Sequence, residues 1–195
     1  MPSPIGHSVI GLCIYAIINK NLNFKENWKE MFFYIFLANL FEIDVIPQLF
    51  GFDIPFFVHR EIFHSIAFAF FVAIVLANII NLKAVRSRNI IPKFFIVFLL
   101  IYSHSLADLF TIDNRPPAGV MLLWPFSSSF YISPIQILPG ISHDSFLELF
   151  SPINYHNYIT EIKIFGTLLF IVYLYLVFVL KSDVKIEKKI EERTL

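Results

Sequence analysis

From Ile164 to Leu180 the chain runs without a charged side chain, and the run stops at Lys181. A helix needs about 20 apolar residues to cross the roughly 30 Å hydrocarbon layer of a bilayer, where backbone groups can pair only with one another. Ile62 to Leu82 is a second run free of Asp, Glu, Lys and Arg, and Phe94 to Ala107 is a third that extends to Ile112 with Asp108 inside it. Two weaker segments precede these. Ile5 to Asn19 follows Pro4, a helix-start signal, and Trp28 to Val45 keeps Lys29, Glu30, Glu42 and Asp44 at its ends, ahead of Pro47.

Composition agrees with a lipid-facing chain. Hydrophobic residues make up 57% and charged residues 15%, with 24 Phe, whereas a soluble domain is about 45–50% apolar and about 25% charged. The expected fold is therefore an all-α integral membrane protein. We read a bundle of about five transmembrane helices near 5–19, 28–45, 60–82, 93–112 and 164–181, an exterior segment over 113–163, and a charged tail over 182–195. The first helix lacks a basic leader and a small-residue cleavage site, so it is expected to stay in the mature chain. Fifteen basic against fifteen acidic residues give no net charge and no footprint for nucleic acid. The single cysteine, Cys13, excludes disulfides within one chain and cysteine-based zinc sites.

Five crossings place 20–30, 83–93 and 181–195 on one side, with twelve of the fifteen Lys and Arg. The excess of Lys and Arg marks that side as cytoplasmic, and the other, with Arg60, Arg115 and Lys163, as exterior. All six histidines then fall on the exterior side: His7, His59, His64, His104, His143 and His156. Nine of the acids join them, although neither residue type entered the topology.

Their placement points to a cation. His7 opens the first helix, Glu42 and Asp44 close the second, His59 and His64 open the third, and His104 and Asp108 lie near the end of the fourth. Antiparallel neighbours bring those ends to one level. His104 and Asp108 are four apart and share a helix face. His59 and His64 are five apart, about 140° around a helix, so both reach one site only if His59 precedes the regular turns. Ionisable side chains at membrane depth are costly and usually functional. A divalent metal relieves the cost, and imidazole with carboxylate suits zinc, with manganese or iron also admitted. The expected ligands are His7, Glu42, Asp44, His59, His64, His104 and Asp108, holding one to three ions. His143 and His156 read as interfacial hydrogen-bonders. Arg60 has the planar fork to bind an anionic substrate group. Ser65 reads as a cap or a partner of His64. No phosphate-binding loop, dinucleotide glycine motif or nucleophile elbow is present.

These residues also form a pattern. His7 with Gly11, the acidic pair Glu42/Asp44, His59-Arg60 through His64-Ser65, His104 through Asp108, and Gly119 with Leu123-Trp124-Pro125 resemble the YdjM-type family of inner-membrane proteins, described as LexA-regulated, membrane-bound metal-dependent hydrolases. The resemblance covers roughly residues 1–126. It departs at Phe41-Glu42-Ile43-Asp44, where the family usually carries Pro-Asp-x-Asp. The motifs are more distantly similar to those of zinc-dependent phospholipase C and related nucleases. The resemblance implies a multi-pass protein of a bacterial inner membrane that hydrolyses a lipid or lipid-linked phosphate substrate. In that reading the metal activates a water, Asp44 or Glu42 serves as general base, and Arg60 balances developing negative charge. The alternatives are a non-catalytic protein whose metal ties helices together, and a metal or solute transporter.

Overall fold

The structure, a computed structural model, describes residues 1–21, 23–52, 54, 59–79, 90–113, 116–142 and 146–194. It is helical, and among the described residues extended pairing is limited to two isolated bridges, Thr111 with Leu138 and Val120 with Tyr131. The helices are α1 (Pro4–Asn19), α2 (Phe24–Ala38), α3 (Val45–Leu49), α4 (Ile66–Ile79), α5 (Ile90–Leu109) and α6 (Pro152–Thr194), with 3-10 turns at Leu40–Asp44, Ile62–His64 and Glu148–Phe150. The closest pairs are α1 with α2, α4 with α5, and α1 with α6.

Local chemistry sets these boundaries. Ser3 Oγ accepts from the amides of Ile5 (3.2 Å) and Gly6 (3.4 Å), and Pro4 occupies the first turn, where its missing N–H costs nothing. A β-carbon on Gly11 would lie 2.9 Å from the Tyr34 carbonyl oxygen, so glycine there is what lets α1 and α2 close on each other. Asn39 Nδ2 then donates to Ile35 O (2.8 Å) and to Ser8 Oγ (3.1 Å), fixing the end of α2 against α1.

Packing is inverted relative to a soluble bundle. In α4 the buried residues are Ala69, Ala73 and Ala77, one turn apart, while Phe71 is 63% and Ile79 74% exposed. Small residues let backbones approach, and large apolar ones face outward, as expected where the surroundings are lipid. The core proper gathers Tyr15, Met31, Tyr34, Leu37 and Phe41 against Val97, Leu100 and Ile101.

Helix limits differ from the sequence expectation in several places; α2 begins at Phe24 rather than 28, and the helix expected over 93–112 runs Ile90–Leu109. The helix expected over 28–45 stops at Ala38, because Asn39 turns the chain and 40–44 winds as a tighter 3-10 turn. Pro47 lies inside the short α3, where a proline in the first turn disrupts no bond. The helix expected from residue 60 begins at Ile66. Ser65 is extended and caps it, Ser65 Oγ accepting from Phe68 N (3.1 Å), so His59, Arg60 and His64 stand before the regular turns. The last helix begins at Pro152, not at 164, with Ser151 Oγ accepting from Asn154 N at 3.4 Å. The ends of the expected third helix over 80–82 lie outside the described residues. Two helical stretches, Ile90–Leu109 and Pro152–Val179, are long and apolar enough to cross a membrane, and Pro4–Asn19 and Ile66–Ile79 are apolar but shorter.

The segment 116–142 folds over one end of the bundle. Ile112 N donates to Leu138 O (2.8 Å), Ser133 N to Leu109 O (2.8 Å), Met121 N to Arg60 O (2.8 Å) and Ile66 N to Leu122 O (3.0 Å). The last turn of α5 and the turn before α4 therefore sit beneath one lid of backbone.

Candidate metal centre

Beneath that lid the chain brings together the imidazoles and carboxylates of four separate stretches. His7 comes from α1, Glu42 and Asp44 from the turn after α2, His59 and His64 from the loop and turn before α4, and His104 and Asp108 from α5. His7, Asp44, His64 and His104 are fully buried, and Asp108 is nearly so.

The distances decide how these groups relate. His64 Nδ1 lies 3.3 Å from Asp44 Oδ2, and His64 Nε2 lies 3.3 Å from Asp108 Oδ2. His7 Nε2 is 3.5 Å from Asp108 Oδ1 and 3.6 Å from Glu42 Oε1. His104 Nε2 is 3.5 Å from Asp108 Oδ2 and 3.9 Å from Glu42 Oε1. Charged hydrogen bonds close to about 2.7–2.9 Å. Two ligands each about 2.0–2.1 Å from a tetrahedral ion stand about 3.3–3.4 Å apart. The separations are longer than charged hydrogen bonds usually are, and the shortest equal the edge of such a coordination shell. Donor atoms fall into three overlapping groups, each within 4.8 Å: His7, Glu42 and His104; Asp44, His59 and His64; His64, His104 and Asp108.

Polar satisfaction gives the same answer. Both ring nitrogens of His7 and His64, Nε2 of His104, Oδ2 of Asp44 and both carboxylate oxygens of Asp108 are buried without a hydrogen-bond partner among the described residues. Unpaired buried polar atoms each cost about 1–3 kcal/mol, more when charged. One cation satisfies several at once.

Neighbouring groups orient the donors. His104 Nδ1 donates to the Ala38 carbonyl oxygen at 3.0 Å, since a carbonyl can only accept. That fixes the tautomer and turns the Nε2 lone pair toward Asp108 and Glu42. The His7 and His104 rings stack at 3.8 Å with planes 19° apart. Phe41 packs against the rings of both His64 (5.7 Å) and His104 (5.8 Å). His59 Nδ1 meets Asp44 Oδ1 at 2.6 Å, a true hydrogen bond. Burial opposes the charge of Asp44, but His64 and His59 outweigh it and hold its carboxyl below the usual carboxylate range. For Glu42, on the same turn outside the helices, burial wins and pushes the pKa up to about 7.

The seven expected ligands thus occupy one cluster. The five-residue spacing of His59 and His64 works because His59 precedes the helix. Arg60 lies beside the cluster with φ of 73°, a left-handed backbone uncommon outside glycine. Its guanidinium pairs with Asp113, whose Oδ2 also accepts from Gly119 N at 3.0 Å. Sequence reasoning missed Asp113 as the partner of Arg60. The signal was there in Gly119, whose φ of 96° and close approach to the Tyr131 carbonyl mark a backbone position reserved for glycine. Ser65 caps α4. His156 is exposed on α6 away from the cluster, and His143 lies outside the described residues.

The model of the YdjM inner membrane protein family matches residues 1–186. The chain belongs to this family. Its stretch includes all seven donors, Arg60 and Asp113, and it extends the likeness well beyond the motif region into α6. No curated protein and no solved structure matches the chain. For a YdjM-family inner-membrane protein, a buried His/Asp/Glu cluster able to bind a metal ion is the chemical feature that demands explanation.

Proposed function

We propose that this protein is a membrane-bound, metal-dependent hydrolase that cleaves a phosphoester of a lipid or lipid-linked substrate. The observation that carries the reading is the set of 3.3–3.9 Å separations among donors most of whose inward atoms are buried without a hydrogen-bond partner among the described residues.

The donor chemistry favours zinc, with manganese or iron also compatible. The two groups that contain His104 use its single inward nitrogen, so they would serve one ion, which His7, His104, Asp108 and the Nε2 of His64 would hold, with Glu42 at its more open side. Asp44, His59 and the Nδ1 of His64 offer a second position. A divalent cation there supplies Lewis acidity, making water a nucleophile near neutral pH and drawing charge from a phosphoryl oxygen. The chain's own residues do the rest. Asp44 orients His59, and the Ala38 carbonyl orients His104. Glu42, 19% exposed where Asp44 and Asp108 are sealed, is the carboxylate that water can reach, and its Oε atoms accept the proton. Arg60, steadied by Asp113, offers positive charge to an anionic substrate.

In the membrane, α1, α2 and α4 join the two longer spans as crossings, with the donor end exterior and the tail cytoplasmic, as the Lys and Arg excess requires. The reading is tested by elemental analysis of purified protein together with turnover of phosphate mono- and diesters by wild type and Glu42→Gln. Bound metal in both, with turnover in wild type only, supports it. Metal without turnover on any phosphoester replaces it with the second reading, a cation that ties α1, α5 and the two turns together. The full burial of His7, His64 and His104 favours that alternative.

A further inference from the structure

Glu42 has two surroundings. Its carboxylate meets His7 and His104, and the same residue lines a cavity of about 530 Å³ that begins where the donor cluster ends. Phe36 from α2, Ile46 and Leu49 from α3, Leu149 from the 3-10 turn Glu148–Phe150 and Tyr158 from the start of α6 form much of its wall. The volume falls within the range of small-molecule sites, about 300–1,000 Å³. Ser3 and Asn39 also touch it, but their side chains are already engaged, Ser3 with Glu161 and Asn39 with Ile35 and Ser8. Glu42 is therefore the ionisable end of a largely apolar space, whose other uncommitted polar group is the Tyr158 hydroxyl.

The rim indicates what enters. Phe36 and Ile46 are each 49% exposed, and their neighbours Ile5 and Ile43 are 51% and 48% exposed. Apolar side chains predominate at the opening, as they would at a doorway to lipid. A second cavity, about 180 Å³ between α4 and α5, is lined by Ile74, Ala77, Ile90, Ile91 and Phe94 and touches no donor. The contrast separates an ordinary packing gap from a space that leads to chemistry.

We propose that the larger cavity seats the hydrocarbon chain of an anionic amphiphile whose phosphate head lies at Glu42 and the donor cluster. This rests on the hydrolase reading for the head and adds the seat of the chain. Hydrocarbon gains little on leaving lipid for an apolar cavity, because both are equally dry. What the cavity contributes is position. A chain lodged against α3 holds its phosphate at one place relative to the donors, and reacting groups held in place react faster. The cavity then selects on chain shape and length, and α3, set by the Asn39 turn and Pro47, is the selecting element.

The test uses the full chain in phosphatidylcholine nanodiscs with dodecylphosphonate bearing a terminal diazirine, a head that cannot be hydrolysed. After irradiation, adducts are mapped by mass spectrometry. Adducts on Phe36 and Val45–Leu49 should exceed those on Ile74–Ala77 and Ile90–Phe94 at least fivefold. Ile46→Trp and Leu49→Trp, each filling the cavity, should lower the excess at least fivefold. Equal labelling of the two cavities in wild type overturns the proposal, and so does wild-type labelling in folded Trp variants. The wild-type ratio decides alone if a variant misfolds. Turnover of dodecyl phosphate is measured alongside. Preferential labelling without turnover keeps the chain seat and removes the hydrolase reading. Turnover with even labelling does the reverse.

Discussion

The donor end and the α4–α5 seam bury opposite kinds of side chain, though α5 runs through both. At the seam, Ala69, Ala73 and Ala77 are sealed, Phe70 packs edge-on against Phe94, Phe71 faces out, and the buried side chains among the described residues are apolar. One to three turns further along α5, His104, Ser105 and Asp108 are sealed instead. The seam is held by close approach and dispersion, which tolerate many apolar sequences provided volume is conserved. The donor end is held by charge that needs a counter-charge, which tolerates almost none. Close apolar packing and the candidate cation site thus occupy different stretches of the same helix.

Breaking the donor end should give the largest effect. Asp108→Ala or His64→Ala removes a carboxylate or imidazole that faces several partners. Metal content should fall at least tenfold and phosphoester turnover at least a hundredfold, read by elemental analysis and by assay of the same preparation. Full activity in both variants would refute the assigned ligands. Chelation of wild type should lower the melting temperature by several degrees, since a ligand that binds only the folded chain stabilises it. The same chelator should leave the melting of Asp108→Ala unmoved. Ala73→Leu sharpens the contrast from the other side. Overpacking the seam should cost about 1–3 kcal/mol, seen as a lower melting temperature with metal content unchanged. Asp113→Asn sits between the regions. It weakens the hold on Arg60 without touching a donor, so turnover should drop about tenfold while bound metal stays constant, in line with the effect of groups that orient a site. Phe71→Leu, on the exposed face, should change stability by less than about 0.5 kcal/mol in a thermal melt.

The donors were legible because ionisable residues stand out against hydrocarbon, and helix periodicity brings His104 and Asp108 onto one face without further information. The condition on His59 and His64 was also legible, and Ser65 meets it by ending the turn before α4. Boundaries read less well. Asn39 halts α2 through its side-chain bonds to Ile35 and Ser8, and Ser8 lies on another helix, so no local pattern announces the stop. Pro152 is a start signal that hydropathy obscured, because Tyr155, His156, Asn157 and Glu161 follow it before the apolar run begins. The ion pair of Arg60 with Asp113 joins residues far apart in sequence through a lid whose irregular course has no period to detect.

His7 stands at the start of the chain and Asp108 just past its midpoint. A nascent chain that has reached only the turn after α2 holds one imidazole and two carboxylates of the cluster, with nothing to bind them together. It is still incomplete after α4, and gains His104 and Asp108 only when α5 threads in. The full donor set therefore comes together only once α5 is in place, so a half-made chain has no complete cation site to offer.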